Sequence, residues 1–357
     1  MNNRVYDITA YGAVGDGKTD CTAAIQSALD AASQAGGLIT VPPGTYATGE
    51  LHMRGTGITL QGCSGWGYHA PGCSVLQLND PTAGCLLDIT GAFGCTVQGV
   101  GFVGGDLGKN IHGIRIAWPD YNGAGREDTP AIDDCRIAGF TGDGLHLSHV
   151  WAFSLRHSML IFNGGAGLYI DGFDGFISDT IFNNNGRGGV LGGGTASSLT
   201  FTGNRIEWNQ AGGILIPQGN SHNITGNFFD RAFGPAIAYG PGAWPCEMLT
   251  ITGNVFRRSG AYTDDHPLAD PEDGCHIRMT GCRNAVVTGN TMRIGAGDRL
   301  GGEVTPAYSL VITDCRHCIL RDNVLDKGAL KAQLVEHGDN STCVITENIG
   351  DLAHSDG

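Results

Sequence analysis

The chain has 357 residues, with 21 Lys and Arg against 35 Asp and Glu, so its formal net charge is −14. This balance excludes nucleic acid and anionic membranes as electrostatically bound partners, because both need a basic surface. The 59 glycines show no Gly-X-Y period, which excludes collagen, and the 41% hydrophobic content is enough for a large core. No run of 18 apolar residues occurs, so no membrane-spanning helix is expected.

The first fifty residues have a pattern of their own. A strand-like segment begins at Val5, so we expect no signal peptide in this chain, and a cytoplasmic, virion-associated or processed secreted protein stays open. A helix is predicted between an N-cap at Thr19 or Asp20 and a stop at Gly36. Its apolar stripe comprises Ala24, Ile25, Ala28, Leu29 and Ala32. We predict that residues 1–50 cap the remaining 51–357, in one domain overall.

Residues 12–19 match the pattern G-x-x-x-x-G-K-[ST] of nucleotide-binding loops. Asp16 would point a negative charge at the phosphates, and Asp20 would crowd a bound metal. No further strand–helix–strand units follow to form the usual parallel sheet. We therefore interpret this segment as a structural turn.

The same N-terminal region resembles the opening of the pectate lyase-like superfamily of β-helix proteins. The resemblance rests on YDITAYGAVGDGKTD at residues 6–20, AIQ at 24–26 and GGLITVPPGTY at 36–46. It is close over about residues 5–50 and continues only as a repeat pattern. It implies a right-handed β-helix that handles polysaccharides, as in lyases, glycoside hydrolases, fructotransferases and phage tailspike depolymerases. The polygalacturonase motifs Asn-Thr-Asp, Asp-Asp, Gly-His-Gly and Arg-Ile-Lys do not occur here in that order. Ordinary pectin hydrolysis is therefore not expected, and no catalytic residue is carried over.

A short alternating strand ending in Asn recurs through the second half of the chain. The repeated asparagines are Asn204, Asn227, Asn254, Asn290, Asn323 and Asn348. A second strand follows each Asn, and then a Gly with an apolar pair. Such a period of about two dozen residues predicts a β-solenoid, and parallel crossovers favour the right hand. We predict an all-β, right-handed parallel β-helix of roughly ten or eleven coils with an N-terminal capping helix. The Asn column should form a ladder and supply left-handed corners.

The twelve cysteines recur at repeat positions, as Cys282 and Cys315 do. Stacked, buried free thiols explain this better than disulfides, although one or more disulfides stay open. The pair Cys315 and Cys318 is a weak zinc or redox signal, because a second C-x-x-C is missing.

One candidate site lies on the strands that follow the repeated glycines. Alternation turns Arg115, His146 and Tyr169 outward in one column and Asp171 in the next. Adjacent coils lie about 4.8 Å apart, so these side chains should form one polar patch. Trp118 and Asp174 are predicted at the edge of this patch.

A second candidate site follows the Asn corner. Glu207 and Asp230 are one coil apart, in a column that continues as Arg257 and Arg293. Two stacked carboxylates raise one pKa, as an acid/base pair requires, and their separation would distinguish retaining from inverting glycosidases. The alternative is a surface charge ladder that includes arginines. Trp208 is predicted to point into the core.

These patterns predict a carbohydrate-active enzyme that cleaves or rearranges an extended glycan, such as a glycoside hydrolase or a fructotransferase. The catalytic candidates are Glu207, Asp230, Asp171 and His146, and the substrate-binding candidates are Arg115, Trp118, Tyr169, Asp174, Arg257 and Arg278. The acidic charge favours a neutral glycan. One alternative is a lyase, in which Arg115 or Arg278 neutralises a uronate while Tyr169 or His146 takes the proton. Another is a non-enzymatic glycan-binding or tailspike-like module.

No cofactor, metal, nucleic acid or membrane partner is expected, and a homotrimer is the expected assembly. The acidic insertion at residues 259–273 is interpreted as a solvated loop rather than a Ca²⁺ site, because the EF-hand spacing is absent.

Overall fold

The computed structural model describes residues 4–121, 123, 125–260, 268, 270–296 and 303–351. Of the acidic insertion, Asp264 and Asp265 lie outside these residues. The described chain is almost entirely β-structure, and it divides into two compact units, Met1–Ile181 and Phe182–Gly357. The boundary predicted at residue 50 stays a prediction.

In the first unit, the strands form three parallel faces. Face A consists of Leu51–His52, Cys85–Asp88, His112–Ala117 and the first halves of Leu145–Arg156 and Leu168–Ser178. Face B consists of Val5–Asp7, Gly37–Thr40, Ile58–Gln61, Thr96–Gln98, Ala131–Asp133 and the second halves of the same two long strands. Face C consists of Asp16–Asp20, Gly44–Thr48, Ser74–Leu78, Gly101–Val103, Arg136–Ala138 and Met159–Ile161. Gly55–Thr56 and Ala92–Phe93 form a small separate pair.

The second unit has the same three-faced arrangement. Its first face consists of the start of Val190–Thr202, Ile214–Ile216, Ile237–Tyr239, Cys275–Thr280, Tyr308–Thr313 and Ala332–His337. Its second face consists of the end of Val190–Thr202, Gly219–Thr225, Glu247–Thr252, Arg283–Thr288, Ile319–Arg321 and Val344–Thr346. Its third face consists of Arg205–Glu207, Phe228–Asp230, Val255–Arg257 and Thr291–Arg293.

Three further elements complete the described strands. Ile181–Asn183 contains the boundary between the units in sequence, and Gly295–Ala296 pairs antiparallel with Glu303–Thr305. A short 3-10 helix, Pro271–Asp273, precedes the strand Cys275–Thr280. Every other described strand pairing is parallel, which confirms the predicted parallel β-helix architecture.

The core is made of apolar residues in register from coil to coil. In the first unit, Ile114 pairs with Leu145 and Leu145 pairs with Leu168, and all three are fully buried. Because side chains alternate along a strand, a register shift of one residue would turn this whole row outward. The alternation therefore fixes which residues reach the outer surface.

An asparagine ladder runs through the second unit, as predicted. The side-chain nitrogens of Asn204 and Asn227 donate to the next Asn Oδ1 at 2.9 and 3.0 Å, and this pattern continues to Asn348. The predicted source of the corner is wrong, however. The left-handed φ belongs to the residue before each Asn, for example Gly203 at 68° and Asp322 at 56°. The asparagine instead uses its amide to bond the next coil.

The predicted N-terminal helix is present at Thr22–Ser33, and it follows a 3-10 helix at Ile8–Tyr11. Four residues of the predicted stripe are buried, namely Ile25, Ala28, Leu29 and Ala32. The helix begins slightly later than predicted, since the N-cap is Cys21 while Asp20 accepts from the backbone nitrogen of Thr22 at 3.1 Å. In the described part of the chain, no helix combines the length and the hydropathy of a bilayer-spanning segment.

Residues 12–19 differ in part from the predicted turn, because Asp16–Asp20 is a strand whose pairing with Gly44–Thr48 is interrupted between Asp16 and Asp20. The Asp16 carboxylate accepts the backbone N–H groups of Lys18 and Thr19, each at 2.8 Å. These bonds, that of Thr19 foremost, lower the pKa of Asp16 to about 2. The backbone N–H groups of Lys18 and Thr19 are thus already bonded within the protein and are not available to phosphate.

Nine of the twelve cysteines are buried, as the stacking interpretation predicts. Cys282 and Cys315 are fully buried, and the Cys315 thiol donates to the carbonyl of Met279 at 3.5 Å. Cys63 and Cys73 are exceptions, because both are exposed.

A buried histidine should make the second unit sensitive to acid. His222 lies within hydrogen-bond distance of the Tyr239 hydroxyl at 2.7 Å and the Ala196 carbonyl at 2.8 Å. Burial lowers its pKa from 6.5 to about 4. Since the unfolded chain binds the extra proton first, the free energy of unfolding should fall as the pH drops from about 6.5 to about 4. Urea unfolding at pH 7 and pH 4.5 tests this, and His222→Gln should show a smaller difference between the two. An equal difference in both proteins would contradict the assignment.

Candidate functional site

The outward columns of face A occur where the sequence placed them. Asp88, Arg115, His146 and Tyr169 occupy successive coils in register. In the neighbouring column, Ser148 pairs with Asp171. The predicted grouping of Arg115, His146, Tyr169 and Asp171 on one face of the first unit is confirmed, although their chemical roles are not tested by it.

Arg115 is neutralised within the protein. Its guanidinium contacts Asp88 at 2.7 Å and Glu50 at 3.1 Å, and Arg54 also contacts Asp88 at 3.0 Å. Burial would raise the pKa of Asp88, but the hydrogen bond from Arg115 and further contacts outweigh this effect and lower it. Because these ion pairs compensate its positive charge, Arg115 should attract an anionic substrate less strongly than the sequence suggested.

His146 is held by a carboxylate that the sequence analysis did not single out. Its Nδ1 lies 2.8 Å from Oδ2 of Asp143, which is buried. The imidazole also stacks on Tyr169, with centroids 4.6 Å apart and an interplanar angle of 8°. The available sequence signal was local: Asp143 stands three residues before His146, at the corner where the strand begins.

Asp171 and Asp174 each bond an aromatic side chain. The Tyr121 hydroxyl donates to Asp171 at 2.7 Å, and the indole nitrogen of Trp151 donates to Asp174 at 3.2 Å. His149 Nε2 lies 4.0 Å from Asp171. Carboxylates and aromatic rings are therefore interleaved at the corner between faces A and B.

Three rings at this corner form a partly exposed surface, which we call the aromatic wall: Tyr121, Trp151 and Phe173. The Phe173 ring lies 5.4 Å from Tyr121 and 5.8 Å from Trp151, centroid to centroid. Trp151 and Tyr121 are each 36% exposed. Alternation did not predict this wall, because left-handed residues such as Ala152 and Asp174 interrupt the two-residue period there.

A buried carboxylate ties the insertion after Ala117 to this corner. Asp128 accepts from the Trp118 indole at 2.8 Å and from the Trp151 backbone nitrogen at 2.9 Å. Burial raises the pKa of Asp128. Trp118 also stacks on Phe93 at 6.1 Å, so this predicted substrate-binding residue is partly engaged within the protein.

In the second unit, Glu207 and Asp230 are register partners, as predicted. Their side chains are only 7% and 3% exposed, however. Glu207 pairs with Arg205 at 3.0 Å, and Asp230 accepts from Nε and Nη2 of Arg258 at 2.8 and 2.6 Å. These contacts resemble a structural ion-pair network more than an open acid/base pair.

The substrate-binding roles of Arg257 and Arg278 in the second unit stay predictions. The exposed Arg257 follows Asp230 in register, but the buried Arg258 makes the ion pair. Arg257 instead lines a shallow depression of about 570 Å³ with Arg293 and Phe228. Arg278 pairs with Asp270 at 3.3 Å and with Asp273.

The predicted inward position of Trp208 is wrong. Its backbone is left-handed, with φ at 60°, and its ring is half-buried beneath the Arg231 guanidinium at 4.6 Å. The left-handed residue breaks the alternation on which the prediction depended. Tyr239, in contrast, belongs to the fully buried core.

Two groups of side chains have donor atoms close enough to hold a metal ion among the described residues. They are His112, Asp143 and His146, and Glu50, His52 and Asp88, with all donor atoms of a group within 4.8 Å of one another. In the first group, Nδ1 of His112 already accepts the backbone N–H of Asp143 at 2.9 Å. In the second, Asp88 already binds two arginines.

Comparison with known proteins places these features in a family context. The family model described as "Right handed beta helix region" matches residues 143–292 and 195–351. The model described as "Rhamnogalacturonase A/epimerase, pectate lyase-like" matches residues 5–69. A probable rhamnogalacturonase C from Aspergillus flavus is 49% identical over 70 residues, which is 18% of this chain and 15% of the relative. The chain thus matches only a small part of that relative's length.

Solved structures show the same fold at low sequence identity. The A-module of the mannuronan C-5 epimerase AlgE4 from Azotobacter vinelandii is 16% identical, with a TM-score of 0.60, covering 99% of this chain and 100% of that one. DFA-IIIase from Arthrobacter chlorophenolicus without its lid is 18% identical, with a TM-score of 0.66 and coverages of 97% and 99%. Tailspike protein 2 of bacteriophage CBA120 is 14% identical, with a TM-score of 0.57 and coverages of 94% and 43%. The right-handed parallel β-helix is confirmed.

Proposed function

Because the chain belongs to the right-handed β-helix family, we propose that it is a carbohydrate-active enzyme that cleaves or rearranges an extended glycan at face A of its first unit. The observation that carries this proposal is the aromatic wall directly beside Asp171 and Asp174. The names of the similar proteins support it, since rhamnogalacturonase, mannuronan epimerase and DFA-IIIase all denote carbohydrate-acting enzymes.

The chemistry of the wall suits a sugar. The C–H faces of a sugar ring pack on aromatic rings, while its hydroxyls need polar acceptors and donors at the ring edge. Trp151 offers an exposed indole face, and the carboxylate of Asp174 lies at its edge. A glycan along this face would meet equivalent positions in each successive coil, about 4.8 Å apart.

Asp171 and His146 are the proposed proton-transfer residues. They lie on adjacent strands and two positions apart in register, so both are presented on face A. One group would protonate the leaving glycosidic oxygen, and the other would take a proton from attacking water or a sugar hydroxyl. Water gives hydrolysis, and a sugar hydroxyl gives transfer. Glu207 and Asp230 are the second choice, because arginines occupy both carboxylates.

A neutral glycan is the proposed substrate class. Arg115 and Arg278, the arginines that a uronate would need, each contact two carboxylates of the protein. The formal charge of −14 also disfavours a polyanion. Lyase chemistry on a uronate polymer is the alternative, and its unsaturated product would identify it.

Asp171→Asn tests this proposal. The protein is incubated with neutral fructans and glucans and with pectate, alginate and capsular polysaccharides, and the products are resolved by mass spectrometry. We expect turnover by the unchanged protein and a loss of about 100-fold in the variant, within the usual contribution of an acid/base group. Asp179→Asn is the matched control, since Asp179 is an exposed carboxylate in the same unit.

The outcomes separate the alternatives. Addition of one water to the products indicates hydrolysis, an unsaturated residue indicates a lyase, and an internal anhydride or a new linkage indicates transfer. Glycan binding without product formation would contradict the enzyme proposal in favour of a non-enzymatic, tailspike-like module. Full turnover by a folded Asp171→Asn protein would remove Asp171 from the mechanism.

A further inference from the structure

We propose that Asp143 is a positioning residue that fixes the ring of His146, so that Nε2 of His146 exchanges the proton at face A. This inference rests on the proposed function, because it explains how one of its two proton-transfer residues is prepared. It adds a residue that neither the sequence pattern nor the family resemblance assigns.

The Asp143 carboxylate is held on two sides. Oδ2 lies 2.8 Å from Nδ1 of His146, and Oδ1 accepts the backbone N–H of Ala166 at 2.7 Å. Burial would raise the pKa of Asp143, but the bonds from His146 and Ala166 outweigh it and keep the pKa below its ordinary value. Asp143 is therefore ionised at neutral pH, and an ionised carboxylate can only accept.

The tautomer of His146 follows from this contact. Because the carboxylate cannot donate, Nδ1 of His146 carries a hydrogen, and Nε2 of the neutral ring is left with its lone pair. The His146 side chain is 21% exposed, while its Nδ1 edge is turned to the buried Asp143. The accessible part of the ring is therefore its Nε2 side, on the face that also presents Asp171.

Two further rings restrict the rotation of His146. Tyr169 stacks on it at 4.6 Å, and His112 packs against it at 4.3 Å and 35°. Burial, and to a smaller extent the nearby His146, lowers the pKa of His112 to about 4. His112 is therefore neutral at pH 7. Its Nδ1 accepts the Asp143 backbone N–H at 2.9 Å, which anchors Asp143 as well.

The charged groups around His146 come from several strands. Asp143 lies at the corner just before the strand of His146, and His112 and Arg115 belong to the preceding coil. Arg115 is already paired with Asp88 and Glu50. Asp143 is thus a carboxylate in direct contact with His146 that no arginine occupies in the contacts described above.

The first experiment needs no substrate. In ¹⁵N-histidine NMR, the neutral ring of His146 should carry its hydrogen on Nδ1, with the signal assigned by its disappearance in His146→Gln. In Asp143→Asn, the amide can donate to Nδ1, so the hydrogen should move to Nε2. Asp134→Asn is the matched control, because Asp134 contacts a different and exposed ring, His157, at 3.4 Å. It should leave the His146 signal unchanged.

The second experiment uses whichever glycan the substrate panel identifies. Asp143→Asn should lower kcat about 100-fold with little change in KM and should alter the pH profile of kcat. Asp143→Glu, which restores an acceptor-only carboxylate, should recover part of the activity. A variant that is merely misfolded would not show this rescue or this separation of kcat from KM.

Each result is decisive for one proposal. An Nε2–H tautomer in the unchanged protein, or an Nδ1–H tautomer retained in Asp143→Asn, overturns the role of Asp143 whatever the enzyme assay shows. Stoichiometric shifts of both His112 and His146 on adding Zn²⁺ alone would also overturn it, in favour of a metal site. A negative substrate panel with the expected tautomers would count against the proposed function while leaving the positioning geometry supported.

Discussion

Replacement of Arg258 by Met should lower the free energy of unfolding by about 3 kcal/mol, the lower end of the usual effect of removing one partner from a buried ion pair, because Arg231 still contacts Asp230. Arg258 bonds both oxygens of Asp230, at 2.8 and 2.6 Å, and both side chains are nearly buried. Methionine preserves much of the aliphatic volume, so the change acts chiefly on the charge. Urea unfolding measures the effect.

Arg257→Met is the matched control, because Arg257 is the exposed neighbour in sequence. Its effect should stay within the roughly 0.5 kcal/mol typical of exposed substitutions. Adding Asp230→Asn to Arg258→Met should recover part of the loss, because a buried charge that only the partly exposed Arg231 still compensates is then removed. Equal destabilisation by both arginine variants would show that the ion pair does not stabilise this corner.

Asn254→Ala should destabilise the chain by about 4 kcal/mol, at about 1 kcal/mol for each of the four hydrogen bonds removed. The Asn254 side chain accepts from the backbone and side-chain nitrogens of Asn227 and donates to Ile224 and Asn290. The variant leaves these buried partners without that side chain. Thermal and urea unfolding of the purified protein measure the change.

Asn348→Ala provides the comparison at the end of the described ladder. Asn348 accepts from the backbone and side-chain nitrogens of Asn323 and donates to Leu320, but it is only partly buried. Water can replace some of its bonds, so the loss should be clearly smaller than for Asn254. Equal losses would mean that burial does not govern the strength of the ladder.

The fold was predictable because each coil of a solenoid repeats a similar residue pattern in the sequence. The recurring Asn204, Asn227 and Asn254 marked one corner of each coil, and alternation gave the inward and outward rows. The backbone at that corner was not predictable from the Asn alone. Gly203 or Asp322 takes the left-handed conformation, and the amide of the following asparagine is engaged in the ladder.

The candidate site was only partly predictable, and one cause is the left-handed residues that interrupt the alternation of side chains. Alternation placed His146, Tyr169 and Asp171 correctly, since they lie on regular strands. Trp151 follows His149, whose left-handed backbone interrupts the alternation of side chains. Alternation therefore could not predict the direction of the Trp151 side chain.

Burial and pairing were the other properties that spacing could not supply. The register of Asp230 and Arg257 was predicted, but the carboxylate pairs with Arg258, one residue further along, and with Arg231. At this corner, Arg257 is an exposed cation and the next residue, Arg258, is a buried one. Likewise, Glu50 and Asp88 lie far from Arg115 in sequence, and both pair with its guanidinium. Spacing did not predict that these carboxylates compensate its charge.

The asparagine ladder also determines which changes in chain length the protein can accept. Asn204 and Asn227 are 23 residues apart, and Asn227 accepts from Asn204 and donates to Asn254. Duplication or deletion of one whole period would again pair an asparagine donor with an asparagine acceptor, whereas adding a single residue within a strand would turn the following side chains of that strand to the opposite face. We therefore expect the fold to tolerate the gain or loss of complete coils and insertions at corners. Small insertions within strands should disrupt it.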